Sequence, residues 1–453
     1  MRRRKRFGIT STHIIMLSFL AALFVGAFLL MLPISSSSGE YTPFIDALFT
    51  STTSICVTGL VVVPTVSYWS VFGQVVILCL MQIGGLGVIT VMAALALFLH
   101  KKMGLSERLL LRDAFNINTL SGMGSFVKKV ILGTLAIEGV GALVYMTVFV
   151  PQFGAKGIWI SVFNAVSAFC NAGLDIIGEN SLCGYVGDPI INATTCILIV
   201  LGGLGYIVWW DVIRVIKEGK AKKRGMWRAL TLHSKITLSM TATLIFLGAA
   251  MFFAFEYSNP LTLGKLSLYD KIQAAFFQSV TTRTAGFATV PQENLTASSS
   301  IVSLLWMFIG GSPVGTAGGV KTVTFAVLIA TAVAAINNKN ETSLFSRSLT
   351  KEAVSKALGV ICMSFAIMFT STVLLSCVCD ASVIDILYET VSATATVGLS
   401  RALTPSLGVA GRIVIILTMY LGRIGPISLA FAFKVKNQNA NAVRDPIEEV
   451  SIG

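Results

Sequence analysis

The sequence predicts an all-α polytopic membrane protein built as four tandem helix–pore-helix–helix repeats with pseudo-four-fold symmetry around one central pore. Three observations lead there. First, the chain of 453 residues is 55% hydrophobic and only 12% charged, against about a quarter charged in ordinary soluble domains. Apolar runs of about 20 residues, each long enough to cross a bilayer, recur along its whole length. Second, one short pattern occurs four times: Thr53-Ser54-Ile55-Cys56-Val57-Thr58-Gly59-Leu60, Ser167-Ala168-Phe169-Cys170-Asn171-Ala172-Gly173-Leu174, Val280-Thr281-Thr282-Arg283-Thr284-Ala285-Gly286-Phe287 and Ser392-Ala393-Thr394-Ala395-Thr396-Val397-Gly398-Leu399. Its glycines lie 114, 113 and 112 residues apart, and an aromatic stands ten positions before each, namely Phe49, Phe163, Phe276 and Tyr388. Such even spacing marks an internal repeat.

The third observation is the placement of charge. Arg2, Arg3, Arg4, Lys5 and Arg6 precede the first apolar run, Lys101, Lys102, Arg108, Arg112, Lys128 and Lys129 fill one connection, and the stretch from Arg214 to Lys235 is again basic. The connections that carry the motif hold few basic residues: Lys156, Lys265, Lys271, Arg283, Arg401 and Arg412. This alternation is the positive-inside pattern. It puts the protein in the cytoplasmic membrane with both termini in the cytoplasm, and the four motifs enter from outside. It also accounts for the net charge of +13 and argues against a nucleic-acid partner.

Taken in order, a basic cytosolic stretch (1–12) leads into repeat 1 (13–99), where 13–32 spans, 46–54 dips back in and 71–99 returns. The first run exceeds the usual signal-peptide core of about 7–15 residues and lacks a small-residue cleavage site, so it reads as a retained helix. A cytosolic connection (100–127) precedes repeat 2 (128–216), with spans 130–150 and 190–216 around the half-helix 159–169. A second connection (217–232) precedes repeat 3 (233–336), with spans 236–255 and 301–336 around 271–281. A third (337–350) leads to repeat 4 (351–435), with spans 357–378 and 413–433 around 385–393, and a cytosolic tail (436–453) closes the chain. The expectation is eight transmembrane helices and four re-entrant half-helices. Asp46 and Asp385 stand near half-helix starts, where a carboxylate suits the exposed N–H groups and the positive dipole end. The negative ends then point to the membrane centre and favour a cation there.

The motif carries the chemistry. Non-helical backbone at membrane depth is tolerated where it is buried in protein or lines water, and four such segments meeting on one axis can satisfy each other. A filter replaces a cation's water with backbone carbonyls, and glycine supplies the unusual dihedrals this needs. The candidate ion-binding residues are Val57, Thr58 and Gly59; Asn171, Ala172 and Gly173; Thr284, Ala285 and Gly286; Thr396, Val397 and Gly398. None is acidic, which disfavours divalent ions. The eight cysteines show no paired metal spacing and read as small apolar packing residues, so no transition-metal site is expected.

On Cys56-Val57-Thr58-Gly59-Leu60, Asn171-Ala172-Gly173-Leu174, Arg283-Thr284-Ala285-Gly286-Phe287 and Thr396-Val397-Gly398-Leu399-Ser400, almost the whole chain resembles the Ktr/Trk/HKT superfamily of K⁺ transporters. Eight spans without an extra amino-terminal pair are most similar to the bacterial Ktr-type membrane subunit. The resemblance implies K⁺ as the translocated ion, bound at the filter glycines, with Na⁺ as a candidate activator. It also implies a homodimer and a cytosolic ring of nucleotide-binding (ATP/ADP) regulatory subunits. All four filter glycines are present, unlike in plant relatives where serine replaces the first and Na⁺ passes. A Na⁺-conducting or poorly selective permease of the same fold stays open as the alternative.

The stretch Ile301–Ile336 has 36 residues, about 54 Å as a helix against a core of about 30 Å. Within it, Gly310, Gly311, Ser312, Pro313, Gly315, Thr316, Gly318 and Gly319 cannot hold a stable helix, so a broken helix with a loop (310–320) beneath the filter is expected. The other reading, small residues for close helix packing, suits Gly84-Gly85 and Gly202-Gly203 better. The resemblance implies that the loop is the gate. Lys321 lies just below it as a candidate anchor. Arg423, deep in the last apolar run, is costly there and should face a cavity or a partner. It either lines the path and hydrogen-bonds loop carbonyls or pairs with a pore-helix carboxylate such as Glu389. Glu138 and Arg283 read as structural hydrogen-bonding groups, the latter bracing the third filter strand.

An enzyme is not expected. No His-Glu-x-x-His, Gly-x-Ser-x-Gly, Gly-x-Gly-x-x-Gly or phosphate-loop motif occurs, and Ser348-Leu349-Thr350-Lys351 lacks its companion motifs. Any nucleotide control would have to come from a partner.

Overall fold

The computed structural model describes residues 11–98, 109, 123–219, 225–339 and 341–425. Most of the amino-terminal stretch 1–12, most of the connection 100–127, the end of repeat 4 and the tail 436–453 lie outside the described residues.

Each repeat runs outer helix, pore helix, inner helix. The outer helices are Ser11–Met31, Met123–Phe153, Leu232–Glu256 and Lys351–Val378. Among the described residues they are the four helices long and apolar enough to cross a membrane by themselves, and between 17% and 33% of each apolar window is buried in the protein. Residues such as Phe28, Leu143, Phe246 and Phe369 project outward, as expected where lipid rather than water is the solvent. The last two outer helices open on the side-chain caps Thr231 and Thr350, which accept from the amides of Ser234 and Ala353.

The pore helices are Phe44–Ile55, Lys156–Cys170, Leu268–Thr281 and Val383–Ala395, each somewhat longer than expected and too short to span. Ser267 and Ser382 cap the last two, and the carboxylates of Asp270 and Asp385 accept back from those serines at 2.7 and 2.6 Å. Carboxylates thus mark the N-terminal ends in repeats 1, 3 and 4, whereas the second pore helix opens on Lys156 with no acid in its first turn; the C-terminal ends point inward. The inward ends are buried in runs such as Thr50–Ile55 and Thr390–Ala395.

The inner helices differ from the expectation of continuous spans in repeats 1, 2 and 4. Repeat 1 runs Val71–Leu86, stops at Gly87 and resumes as Val88–Phe98; repeat 2 runs Pro189–Leu204, stops at Gly205 and resumes as Tyr206–Lys217 after a bend of 93°. Repeat 4 runs Val409–Ile424 to Gly425. All three glycines have φ 86°, a value that ends the i→i−4 ladder and that side chains resist. In repeat 3 the inner helix Ala297–Phe308 gives way to residues 309–321 before Thr322–Ile336, which is the broken helix expected there. A short helix, Met226–Ala229, precedes the third outer helix, and a two-stranded hairpin, Ser343–Leu344 with Arg347–Ser348, precedes the fourth.

Candidate functional site

The four motif segments meet. A methyl group on Gly59 would lie 2.5 Å from the Ala172 carbonyl oxygen, one on Gly173 would lie 2.6 Å from that of Ala285, and one on Gly286 would lie 2.6 Å from that of Val397. One on Gly398 would collide with the carbonyl of Thr58, which closes the circle. The residue before each glycine therefore turns its carbonyl toward the glycine of the next repeat. Only a residue without Cβ fits there, and φ values of 99°, 65°, 86° and 97° add a backbone reason.

Two positions earlier, Val57, Asn171, Thr284 and Thr396 all have positive φ, between 51° and 65°. For a β-branched residue such as Val57 this is a strained conformation that the surroundings must impose. Hydroxyls impose it. Thr53 Oγ1 accepts from the amide of Gly59 at 3.0 Å, Ser167 Oγ from that of Leu174 at 3.1 Å, and Ser392 Oγ from that of Gly398 at 3.0 Å. Repeat 3 has Val280 at the matching position, and Thr281 substitutes by donating to the Phe287 carbonyl at 2.6 Å. With amides held by these hydroxyls in repeats 1, 2 and 4, the carbonyls of those segments are free to face the axis. These hydroxyls are not among the candidate residues named from the sequence, although Thr53, Ser167 and Ser392 each stand six residues before their glycine.

Above the glycines opens a vestibule of about 370 Å³, lined by all four of them together with Asp175, Glu179 and Glu293. Asp175 is buried, and burial pushes its carboxyl up to about 6. Arg401 ties the vestibule rim together: it binds Asp385 at 2.7 Å, the Gln292 carbonyl at 3.0 Å and Ser300 Oγ at 2.8 Å. Arg412 pairs with Asp46.

On the side of the four motif segments away from the vestibule lies the loop of repeat 3. Its backbone is held from repeat 2: the Ser312 amide donates to Gly203 at 2.8 Å, the Thr316 amide to Gly202 at 3.1 Å, and the Tyr206 amide to Val314 at 3.0 Å. The loop also touches the filter. Thr316 Oγ1 is 3.1 Å from Asn171 Oδ1, and the Gly318 amide donates to Thr284 Oγ1 at 3.2 Å. Lys321 Nζ donates to the Ala317 carbonyl at 2.6 Å. Gly310, Gly315 and Gly319 sit where backbone from the loop itself or from repeat 2 comes too close for a side chain, a Cβ on Gly311 would strike the Ala317 methyl, and Pro313 forms the turn against Gly205.

Arg423 donates to the Thr316 carbonyl at 2.7 Å and to the Gly84 carbonyl at 2.6 Å. It does not pair with Glu389, which instead accepts from Ser400 and Thr404. Repeat 4 reads Gly422-Arg423-Ile424-Gly425 where repeats 1 and 2 read Gly84-Gly85-Leu86-Gly87 and Gly202-Gly203-Leu204-Gly205. Arg423 thus occupies a position that is glycine elsewhere, a signal present in the sequence that goes unnoticed unless the inner helices are aligned. Gly84, Gly85 and Gly202 pack as expected: side chains there would strike the ends of the pore helices at Ile55, Cys170 and Phe169, whereas one on Gly203 would meet only ordinary contacts with Asn171 and Ala317.

Glu138 accepts from Gln82 at 3.1 Å and lies 3.9 Å from Cys170 Sγ, behind the second pore helix. Arg283 is buried with a long contact of 3.4 Å to Thr241. Among the described residues no His, Cys, Asp and Glu cluster could hold a metal ion.

The family model described as "TrkH: Cation transport protein" matches residues 6–444. The chain belongs to this family. Its members are ion transporters rather than enzymes, and the fold is theirs: the potassium transporter TrkH from Vibrio parahaemolyticus superposes with a TM-score of 0.75 at 15% identity, over 96% of this chain and 87% of that one. Among curated relatives, the Ktr system potassium uptake protein B of Bacillus subtilis is 40% identical, covering 98% of this chain and 97% of that protein. The potassium/sodium uptake protein NtpJ of Enterococcus hirae is 36% identical, covering 100% and 99%.

Proposed function

We propose that the chain takes up K⁺ across the cytoplasmic membrane, through a filter of backbone carbonyls contributed by Thr58, Ala172, Ala285 and Val397 and shaped by the four glycines. The observation that carries this reading is the closed circle, in which each glycine abuts the carbonyl of the next repeat. Neutral oxygens in a narrow ring suit a monovalent cation. The vestibule, with its three carboxylates, is the outer entrance, where negative charge concentrates cations. The loop 310–319, with Arg423 and Lys321, is the gate: it crosses beneath the filter and is tethered by side chains or backbone from repeats 2, 3 and 4. The positive-inside pattern supports cytosolic termini.

The resemblance supports two further assignments, a homodimer and control by a cytosolic nucleotide-binding ring. For the ion, the B. subtilis relative is named for potassium and the E. hirae relative for potassium and sodium, so Na⁺ passage or Na⁺ activation is the second reading. Expression in cells lacking K⁺ uptake, grown at low K⁺ with and without Na⁺, decides. Rescue at low K⁺ without Na⁺ is expected of a K⁺ pathway. Rescue that requires Na⁺ points to an activator, and Na⁺ accumulation without K⁺ gain overturns the K⁺ reading.

A further inference from the structure

The face opposite the vestibule carries a second cavity. It encloses about 330 Å³ and is lined by Arg214, Arg228, Arg347 and the turn from Ala229 to Leu232. The three arginines come from three separate elements: the lower piece of the second inner helix, the short helix Met226–Ala229, and the hairpin strand Arg347–Ser348. Gathering like charges costs energy unless an anion answers them. One carboxylate does so in part. Asp211 pairs with Arg214 at 2.5 Å, but it also accepts from the Thr231 amide at 2.9 Å and from Ser234 Oγ at 2.6 Å, so it is consumed in capping the third outer helix. The hairpin's own Glu341 accepts from Ser348 at 2.6 Å. Among the described residues no carboxylate pairs with Arg228 or Arg347.

Depth identifies the missing anion. Leu232 opens one membrane-crossing helix and Lys351 another, so the cavity lies at the level of the lipid headgroups. Beside it, Met226, Trp227 and Phe345 are exposed, and the rings of Trp227 and Phe345 meet edge to face at 5.9 Å. Aromatics at this depth sit at the membrane–water boundary. Basic pockets between helices on that side take acidic headgroups, and guanidinium matches phosphate geometry. A partner protein's carboxylates could answer the charge, but they would leave the apolar trio unexplained.

We propose that Arg214, Arg228 and Arg347 hold the phosphate of an anionic phospholipid, whose glycerol and upper chains rest on Trp227 and Phe345. The test is native mass spectrometry of the purified full chain with equal phosphatidylglycerol and phosphatidylcholine. The wild type is expected to retain phosphatidylglycerol at least about fivefold over phosphatidylcholine, and R228Q/R347Q, checked for monodispersity and melting temperature, to lose that preference. No preference in the wild type, or an unchanged one in the variant, overturns the proposal. Displacement of the lipid by inorganic phosphate would make this a free-anion site, and displacement by a glutamate-rich peptide would make it a protein-docking site; either also overturns it. If the double variant does not fold, quenching by brominated phosphatidylglycerol against brominated phosphatidylcholine, with the Trp227 share isolated by W227F, takes its place: selective quenching supports the site and equal quenching sinks it.

Discussion

The filter and the layer beneath it are built from the same four repeats and treat them in opposite ways. In the filter the copies are near equivalents, with a glycine at positive φ, a carbonyl toward the neighbour and a hydroxyl or its substitute holding the strand. One layer down, repeats 1 and 2 keep Gly-Gly-Leu-Gly and break at a single residue, repeat 4 replaces the second glycine with Arg423, and repeat 3 opens into residues 309–321. Coordination of one ion needs symmetry, because every strand supplies equal oxygens. Obstruction needs only one strand to cross the axis and one charge to hold it. On the proposed function, the divergence of repeats 3 and 4 is where control would reside, and the sameness above it is where ion choice would reside.

The largest effect should come from breaking the symmetric layer. Substituting any one filter glycine by alanine, with Gly286→Ala as the example, places a methyl 2.6 Å from the Val397 carbonyl at φ 86°. The expected result is a loss of K⁺ uptake of about tenfold or more, similar in size whichever repeat is changed. Uptake by cells, normalised to membrane expression, measures it. If one glycine proved dispensable while the others did not, the equivalence would be broken.

Breaking the asymmetric layer should act in the other direction. Arg423→Gln removes the charge-assisted bonds to Thr316 and Gly84, interactions worth about 1.5–3 kcal/mol each. Flux should rise up to about tenfold if they favour the closed loop, and shortening the loop within 310–319 should raise it too. Single-turnover flux into vesicles reads both. Unchanged or lower flux with normal expression would mean that the loop serves the structure and not the gate.

These two layers were unequally legible in the sequence. The convergence of the four glycine motifs could be read because their pattern recurs at nearly constant spacing, and each copy keeps the one residue type its backbone needs. The four outer helices could be read because lipid demands long apolar runs. The single-glycine breaks at Gly87, Gly205 and Gly425 could not, since an apolar run looks continuous to a hydropathy argument even when one φ value divides it. Arg423 was found as a buried charge, but its partner depended on tertiary geometry: Glu389, the carboxylate alternative, is taken by Ser400 and Thr404 in its own repeat.

The vestibule sharpens the comparison from outside, because Asp175 belongs to one repeat only. Its carboxyl, pushed up to about 6 by burial, is charged above that pH and neutral below it. Lowering the external pH through 6 should therefore weaken apparent K⁺ affinity by about threefold, the scale of one nearby charge. Asp175→Asn should match the acidic behaviour at neutral pH and flatten the profile. Uptake titrated with K⁺ at several external pH values tests this, and an unchanged slope in the variant would remove Asp175 from the entrance.

The smallest effect separates breaks that touch the loop from those that do not. Gly205 and Gly425 share φ 86° and similar ψ, 141° and 140°, so alanine at either carries the same backbone strain of about 1 kcal/mol. Their surroundings differ. A methyl at Gly205 would press on the Pro313 carbonyl, in the loop, whereas among the described residues nothing lies within 4 Å of one at Gly425. Gly425→Ala should lower the melting temperature slightly and leave flux unchanged. Gly205→Ala should do the same to stability and also loosen the docked loop, raising flux by about twofold, since part of the contact between the Tyr206 amide and the Val314 carbonyl is lost with it. Equal flux in the two variants would show that the bend in repeat 2 only turns the chain. A difference would show that the bend is also the seat on which the loop of repeat 3 rests.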